Sequence, residues 1–300
     1  MNIIVSKVLI LIFFLVNLLI INIDCTKEKK IINDNSIVYK DIKYGNHKRQ
    51  RLDIALPKNQ TDNIGLILMI HGGGWIAGDK DGCYNEMINW AENEGIACAA
   101  INYHYATKKY NINDILNDVT KSLNKIKEIG KENNLNINKV MLYGGSAGAH
   151  ISLLYGYKNQ NISPIEIASI VSLAGPSNLE DENYYKDDNP HLEDVIKMIS
   201  LMCGYKFNQN TISKAKKYLY ESSPINYINE NSVPTIICHG TKDDVVPFTN
   251  AVILEEILTK NKVENELIIF EGSGHGLENN NETLEYAKNK IKEYVKIYLN

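Results

Sequence analysis

Ser146 lies in Gly144-Gly145-Ser146-Ala147-Gly148, a Gly-x-Ser-x-Gly pattern between an apolar run and a helical one. A serine at a sharp strand-to-helix turn offers its hydroxyl as a nucleophile. Only small neighbours fit there, because a side chain at 144 or 148 collides across the turn. The helix that starts at the turn points free N–H groups toward developing negative charge. A plain glycine turn before a helix is the bland alternative, so the partners decide.

A nucleophilic serine needs a base, and the chain has seven histidines. Only His275 follows the last buried strand in a loop of small residues, Gly272-Ser273-Gly274-His275-Gly276, whose glycines let an imidazole reach across a sheet edge. His150 is one turn beyond the serine, points away from its hydroxyl, and is expected to be packed or solvated. His239 ends a strand and is expected to brace a turn. The base in turn needs an orienting carboxylate. His239-Gly240-Thr241-Lys242-Asp243-Asp244 follows another apolar run and supplies two, Asp243 and Asp244. His71-Gly72-Gly73-Gly74-Trp75 follows a further buried run. Consecutive glycines leave backbone N–H groups unshielded, as an oxyanion hole requires. A flexible turn or a phosphate loop is the other reading. The dinucleotide fingerprint is absent, since residue 77 is Ala and the glycine comes at 78.

These pieces must be held by a sheet. Residues 37–44 and 51–56 alternate with period two, as a half-exposed hairpin does. Residues 66–70 are continuously apolar, which suits a strand buried on both faces, and similar buried runs recur at 96–101, 140–142, 167–174, 235–238 and 267–270. Residues 112–129, 248–258 and 284–299 carry helical spacing. Alternation of this kind predicts an α/β fold: about eight mostly parallel strands flanked by helices, in one domain over 25–300. Residues 177–231, after the sixth strand, are too long for a plain crossover. With helical runs at 192–202 and 211–220, they form either a cap over the sheet's carboxyl edge or a surface excursion. Tyr184, Tyr185 and Tyr205 are candidates for an aromatic pocket there, against ordinary core or exposed positions.

Composition narrows the class. At 300 residues, 44% hydrophobic and 23% charged, the chain is globular rather than disordered or polytopic. A net charge of −4 argues against nucleic acid as a partner. Residues 8–21 form an apolar run broken only by Asn17, preceded by Lys7 and followed by charge, which reads as a signal peptide over 1–24. The run is shorter than the roughly 20 residues of a membrane span, and an uncleaved anchor is the second reading. Export, with or without anchoring, is the expected localisation. Cys25 invites a lipoprotein reading that Asn22 and Asp24 spoil. Cys98 and Cys238 fall in apolar runs and read as buried hydrophobes. Neither a metal site nor a disulfide scaffold is expected from the cysteine spacing.

At these residues the chain resembles the α/β-hydrolase superfamily, specifically the carboxylesterases near the hormone-sensitive-lipase and feruloyl-esterase-like groups. The resemblance runs from about Asp41 to the C-terminus. It rests on residues 71–75 with Gly78-Asp79-Lys80, residues 144–148, Ser223-Pro224-Ile225, residues 239–247 and Gly274-His275-Gly276. It implies a triad of Ser146, Asp243 and His275, Asp244 being the fallback acid, with oxyanion donors at Gly73, Gly74 and Ala147. Gly72 would shape the turn. His104 stands where such families have arginine, which leaves the bracing there open. The strands bearing Cys98 and Cys238 would not be neighbours, beyond disulfide reach. No cofactor is implied. The expected activity is hydrolysis of a small-molecule ester through an acyl-enzyme. An amide hydrolase on the same triad (exopeptidase or formamidase) and a non-catalytic binding protein are the rivals.

Overall fold

The computed structural model describes residues 29–58 and 63–299. Nine strands form one sheet: β1 Lys29–Ile32, β2 Ser36–Lys43, β3 Arg51–Pro57, β4 Asn63–Ile70, β5 Ala97–Ile101, β6 Asn136–Gly145, β7 Glu166–Leu173, β8 Thr235–Gly240 and β9 Asn265–Phe270. Their spatial order is β1-β2-β3-β5-β4-β6-β7-β8-β9. The first three strands are antiparallel to their neighbours, and β5 through β9 with β4 run parallel. The expected hairpin is β2–β3. The ninth strand is β1, a short polar edge strand whose Lys-Lys-Ile-Ile sequence carries no alternation to read. The expected insertion therefore follows the seventh strand rather than the sixth.

Among the described residues there are seven helices of ten or more residues: α1 Tyr84–Asn93, α2 Ile112–Glu132, α3 Ala147–Lys158, α6 Thr249–Lys260 and α7 Asn281–Tyr294 beside the sheet, with α4 Leu192–Cys203 and α5 Ile212–Ser222 in the insertion. Successive residues of β4 point to opposite layers. Leu66, Leu68 and Ile70 join the layer of α2 and α3, while Ile67 and Met69 join that of α1 and α7. Burial on both faces is why β4 reads as one continuous apolar run. The apolar stripe of α2 is buried along its length, and Asn111 with Asp114 closes its N-terminus in a capping box. In α3 every residue from Ala147 to Tyr157 is buried, so the helix has no polar face and no periodicity. The helix expected over 284–299 ends as α7 at Tyr294, and Val295–Leu299 continues as a π-helical turn.

β4 has β5 on one side and β6 on the other, so the chain reverses its winding there. Parallel sheets open a crevice at the carboxyl ends of such strands. Ile70 is in register with Gly144, which brings the loop after β4 beside the loop after β6. Cys98 on β5 and Cys238 on β8 have three strands between them and are free thiols. Among the described residues no helix is long and apolar enough to cross a membrane. The apolar run at 8–21 and Cys25 lie outside the described residues.

Candidate active site

Ser146 stands between the last residue of β6 and the first of α3, with φ 53° and ψ −122°. That conformation costs a non-glycine residue about 1–3 kcal/mol. Close packing enforces it. A Cβ on Gly144 would lie 2.3 Å from the carbonyl carbon of Gly148, and one on Gly148 would lie 1.9 Å from the Ile70 carbonyl oxygen. The Ser146 amide donates to the Leu173 carbonyl at 2.8 Å, pinning the turn to β7.

His275 Nε2 lies 2.9 Å from Ser146 Oγ, and its Nδ1 lies 2.8 Å from Asp243 Oδ2. The second carboxylate oxygen of Asp243 accepts from the amides of Val245 and Val246 at 2.9 and 2.8 Å. Burial alone would raise the Asp243 pKa. Hydrogen bonds from His239 and His275 outweigh it and hold the carboxyl well below the usual range, so it stays ionised. Asp244 points instead to the surface, 3.5 Å from His191 Nε2. The His275 loop is held from behind by Glu278, whose carboxylate accepts the Gly274 amide at 2.9 Å. His239 donates to the Val246 carbonyl and so braces the turn that carries Asp243.

The loop after β4 takes positive φ at Gly73, Gly74, Trp75 and Gly78. Among the described residues the amides of Gly73, Gly74 and Ala147 donate to no protein acceptor. Gly74 and Ala147 share with Ser146 a cavity of about 30 Å³, walled further by Tyr184, Met198 and Val246. Met198 on α4 packs straight onto Gly74, where a Cβ would come within 2.1 Å of its sulfur. The insertion thus reaches over the serine. Of the tyrosines it carries, Tyr184 lines the cavity, Tyr185 is buried with its hydroxyl on the Leu179 carbonyl, and Tyr205 stacks on Tyr218.

Gly78-Asp79-Lys80 is an anchor. Lys80 Nζ is buried among Asp41, Asp53 and Asp81 at 2.9–3.0 Å. At the position of the missing arginine, the His104 amide and Nδ1 both bond Asp118 Oδ2 at 2.7 Å. Sequence reasoning missed Met198 and Glu278, of which only Glu278, three residues past His275, carried a positional signal.

His150 is fully buried. Its Nδ1 accepts from Trp75 Nε1 at 3.1 Å and its Nε2 donates to the Ser222 carbonyl at 2.8 Å, tying the loop after β4 to the end of the insertion. Burial lowers its pKa to about 4, and burial does the same for His71. Between pH 6.5 and 4 the unfolded chain binds protons that the folded chain refuses, so acidification favours unfolding by roughly 3 kcal/mol per site. Asp243 acts in the same sense only below the ordinary carboxylate range. Thermal midpoints should therefore fall steadily as pH drops from 6.5 to 4.5. His150→Gln should flatten the fall, and a fall of equal steepness in that variant would remove His150 as its source.

The fold has close relatives among solved structures. A truncated carbohydrate esterase from gut microbiota superposes with a TM-score of 0.71 at 18% identity, over 89% of this chain and 99% of that one. Esterase B of Lactobacillus rhamnosis superposes at 0.67 with 15% identity, over 89% and 87%. Among curated proteins, esterase LipC of Mycobacterium tuberculosis is 21% identical over 78% of this chain and 59% of its own length. A probable isoprenylcysteine alpha-carbonyl methylesterase of Oryza sativa is 26% identical over 79% and 58%. The chain thus spans under two thirds of the length of these two relatives. The shared fold is the α/β-hydrolase fold; residues 52–258, well over half of the chain and including Ser146 and Asp243, match the BD-FAE family model, and the chain belongs to the BD-FAE family.

Proposed function

We propose that the protein is a serine hydrolase that cleaves carboxylic esters through an acyl-enzyme, with Ser146, His275 and Asp243 as its triad. The observation that carries this is the unbroken hydrogen-bonded series from Ser146 Oγ through His275 to the buried Asp243 carboxylate. Relatives named as an esterase and a methylesterase support esters as the substrate class. Asp243 accepts Nδ1–H of His275, which leaves the Nε2 lone pair facing the hydroxyl. Nε2 takes the serine proton as Oγ attacks the carbonyl carbon. The amides of Gly73, Gly74 and Ala147 receive the oxyanion. The imidazolium then protonates the leaving alkoxide, and water repeats the steps on the acyl-enzyme. Lys7 ahead of the apolar run at 8–21 supports export as part of the same proposal.

The acyl group follows from position. The leaving alkoxide must sit at His275, and His275 does not line the 30 Å³ cavity beside Ser146. That cavity therefore takes the acyl tail, and its small size beside Ser146 favours short acyl groups. Nitrophenyl acetate and propionate should turn over at least tenfold faster than the octanoate, since each misfitted methylene costs roughly 1–3 kcal/mol. Met198→Ala should narrow that ratio. A fluorophosphonate should add its mass to Ser146. Failure of the folded protein to take up the probe would sink the serine hydrolase reading, and faster turnover of amide than ester panels would redirect it.

A further inference from the structure

A loop with three glycines at positive φ has little intrinsic stiffness, because glycine loses more backbone freedom on ordering than any other residue. An oxyanion hole nevertheless needs its N–H groups fixed before the reaction starts. What holds this loop comes from outside it. Arg49, in the turn between β2 and β3, has a side chain only 12% exposed. The two hydrogens of its Nη2 are shared among three acceptors: His71 Nε2 at 3.0 Å, the Gly78 carbonyl at 3.0 Å and Asn102 Oδ1 at 2.9 Å. Its Nε donates to the Tyr103 carbonyl at 2.9 Å, and its guanidinium carbon lies 3.8 Å from the Tyr105 ring centre. One guanidinium thus grips the first and last residues of the loop.

The contact with His71 carries chemical information. A guanidinium has only donors, so His71 Nε2 must present its lone pair. The neutral ring then carries its proton on Nδ1, which lies 2.7 Å from the Gly72 carbonyl oxygen and donates to it. Tyr103 stacks on the same ring at 4.4 Å and bonds the His71 carbonyl, so the ring cannot swing away. The peptide linking Gly72 to Gly73 is planar and trans, with its C=O and N–H pointing in opposite directions. Holding the Gly72 oxygen therefore sets the direction of the Gly73 N–H.

We propose that Arg49 is a positioning residue of the oxyanion hole: by donating to His71 it fixes that ring with Nδ1–H on the Gly72 carbonyl, and so aims the Gly73 amide at the reacting oxygen. The inference rests on the esterase reading above. Removing one oxyanion donor costs about 10²–10³ in kcat, and a donor merely misaimed costs less. Arg49→Met should lower kcat on nitrophenyl acetate about 10- to 100-fold with KM unchanged, because the contact is made with the transition state only. Active enzyme is counted by the amount of fluorophosphonate taken up at completion, which separates misaiming from loss of folded protein.

The discriminating arm is His71→Asn. An asparagine amide carries its own N–H near the Nδ1 position and needs no arginine to set a tautomer. His71→Asn should keep kcat within about tenfold of the parent, whereas His71→Leu should lose as much as Arg49→Met or more. In the His71→Asn background, Arg49→Met should cost less than threefold. Where Arg49→Met fails to fold, Arg49→Lys serves instead in both backgrounds. Equal losses with and without His71→Asn, or kcat within threefold of the parent in the single Arg49 variant, overturn the proposal. A parent that neither hydrolyses esters nor takes up fluorophosphonate would instead overturn the esterase reading on which it rests.

Discussion

Ser146→Ala should reduce kcat on nitrophenyl acetate by about 10⁶-fold, the scale seen when the nucleophile of such a triad is removed. The residue left behind would still lie beside the amides of Gly73, Gly74 and Ala147, so turnover about 10³-fold over water should persist. Stability should hardly change, because the only side-chain partner lost is His275. Ser146→Gly makes a sharper case. The backbone at φ 53° and ψ −122° strains any residue with a Cβ, and glycine occupies it freely. The glycine variant should be as inactive as the alanine variant yet more stable by about 1–2 kcal/mol, because strain of that order is released. A serine kept in a conformation that weakens the fold is kept for what its hydroxyl does. Differential unfolding in urea measures the gain. Activity in either variant within tenfold of the parent, with contamination excluded by active-site labelling, would remove Ser146 from the mechanism.

Of the proposed triad, Ser146 and Asp243 were legible because they follow β6 and β8, strands of the sheet interior, whereas His275 follows β9, an edge strand with Ile269 exposed rather than the doubly buried strand that its apolar run 267–270 suggested. Interior strands are the easiest elements to read, and the residues just beyond their carboxyl ends gather at one rim. Choosing Asp243 over Asp244 was not a matter of pattern, since neighbouring residues of a turn point in different directions and either type suits the role. The family resemblance favoured Asp243, and the structure sets Asp243 against His275 and Asp244 against His191 at the surface. The helix expected after Ser146 is α3, although burial on every side leaves it no amphipathic stripe, while α1 is short and only Met87, Trp90 and Ala91 of it are buried. Arg49 was illegible for another reason. It sits in a turn of polar residues, and its importance arises from where β2 and β3 carry that turn, beside a loop that lies some twenty residues further along. Met198 is likewise one apolar residue of an amphipathic helix. Only the folding of the insertion brings it against Gly74 as well as against the core.

Asp243→Asn tests the electrostatic half of the site with nearly no change in shape. In the parent, one carboxylate oxygen receives the amides of Val245 and Val246, and the other faces His275 Nδ1 at 2.8 Å and His239 Nε2 at 3.2 Å. His239 Nε2 lies between two acceptors, the Val246 carbonyl and this carboxylate, so it carries the proton. An asparagine must keep its carbonyl oxygen on the two backbone amides, because the reverse orientation would set its NH₂ against two donors. Its NH₂ then faces the imidazoles. It meets the N–H of His239, an unfavourable donor–donor contact, and it donates to Nδ1 of His275. The His275 proton is thereby driven to Nε2, where it faces the serine hydroxyl and cannot accept its hydrogen. The kcat should fall by about 10⁴-fold with KM little altered, the size of loss expected when a triad base is locked in its wrong tautomer. The rate of fluorophosphonate labelling should fall by a similar factor, because it needs the same proton transfer. Asp244→Asn is the matched control. Its carboxylate is 60% exposed and pairs only with His191, so turnover should stay within twofold. If instead Asp244→Asn abolished activity and Asp243→Asn did not, the acid would be the neighbouring residue and the loop after β8 would have to turn before the site could form.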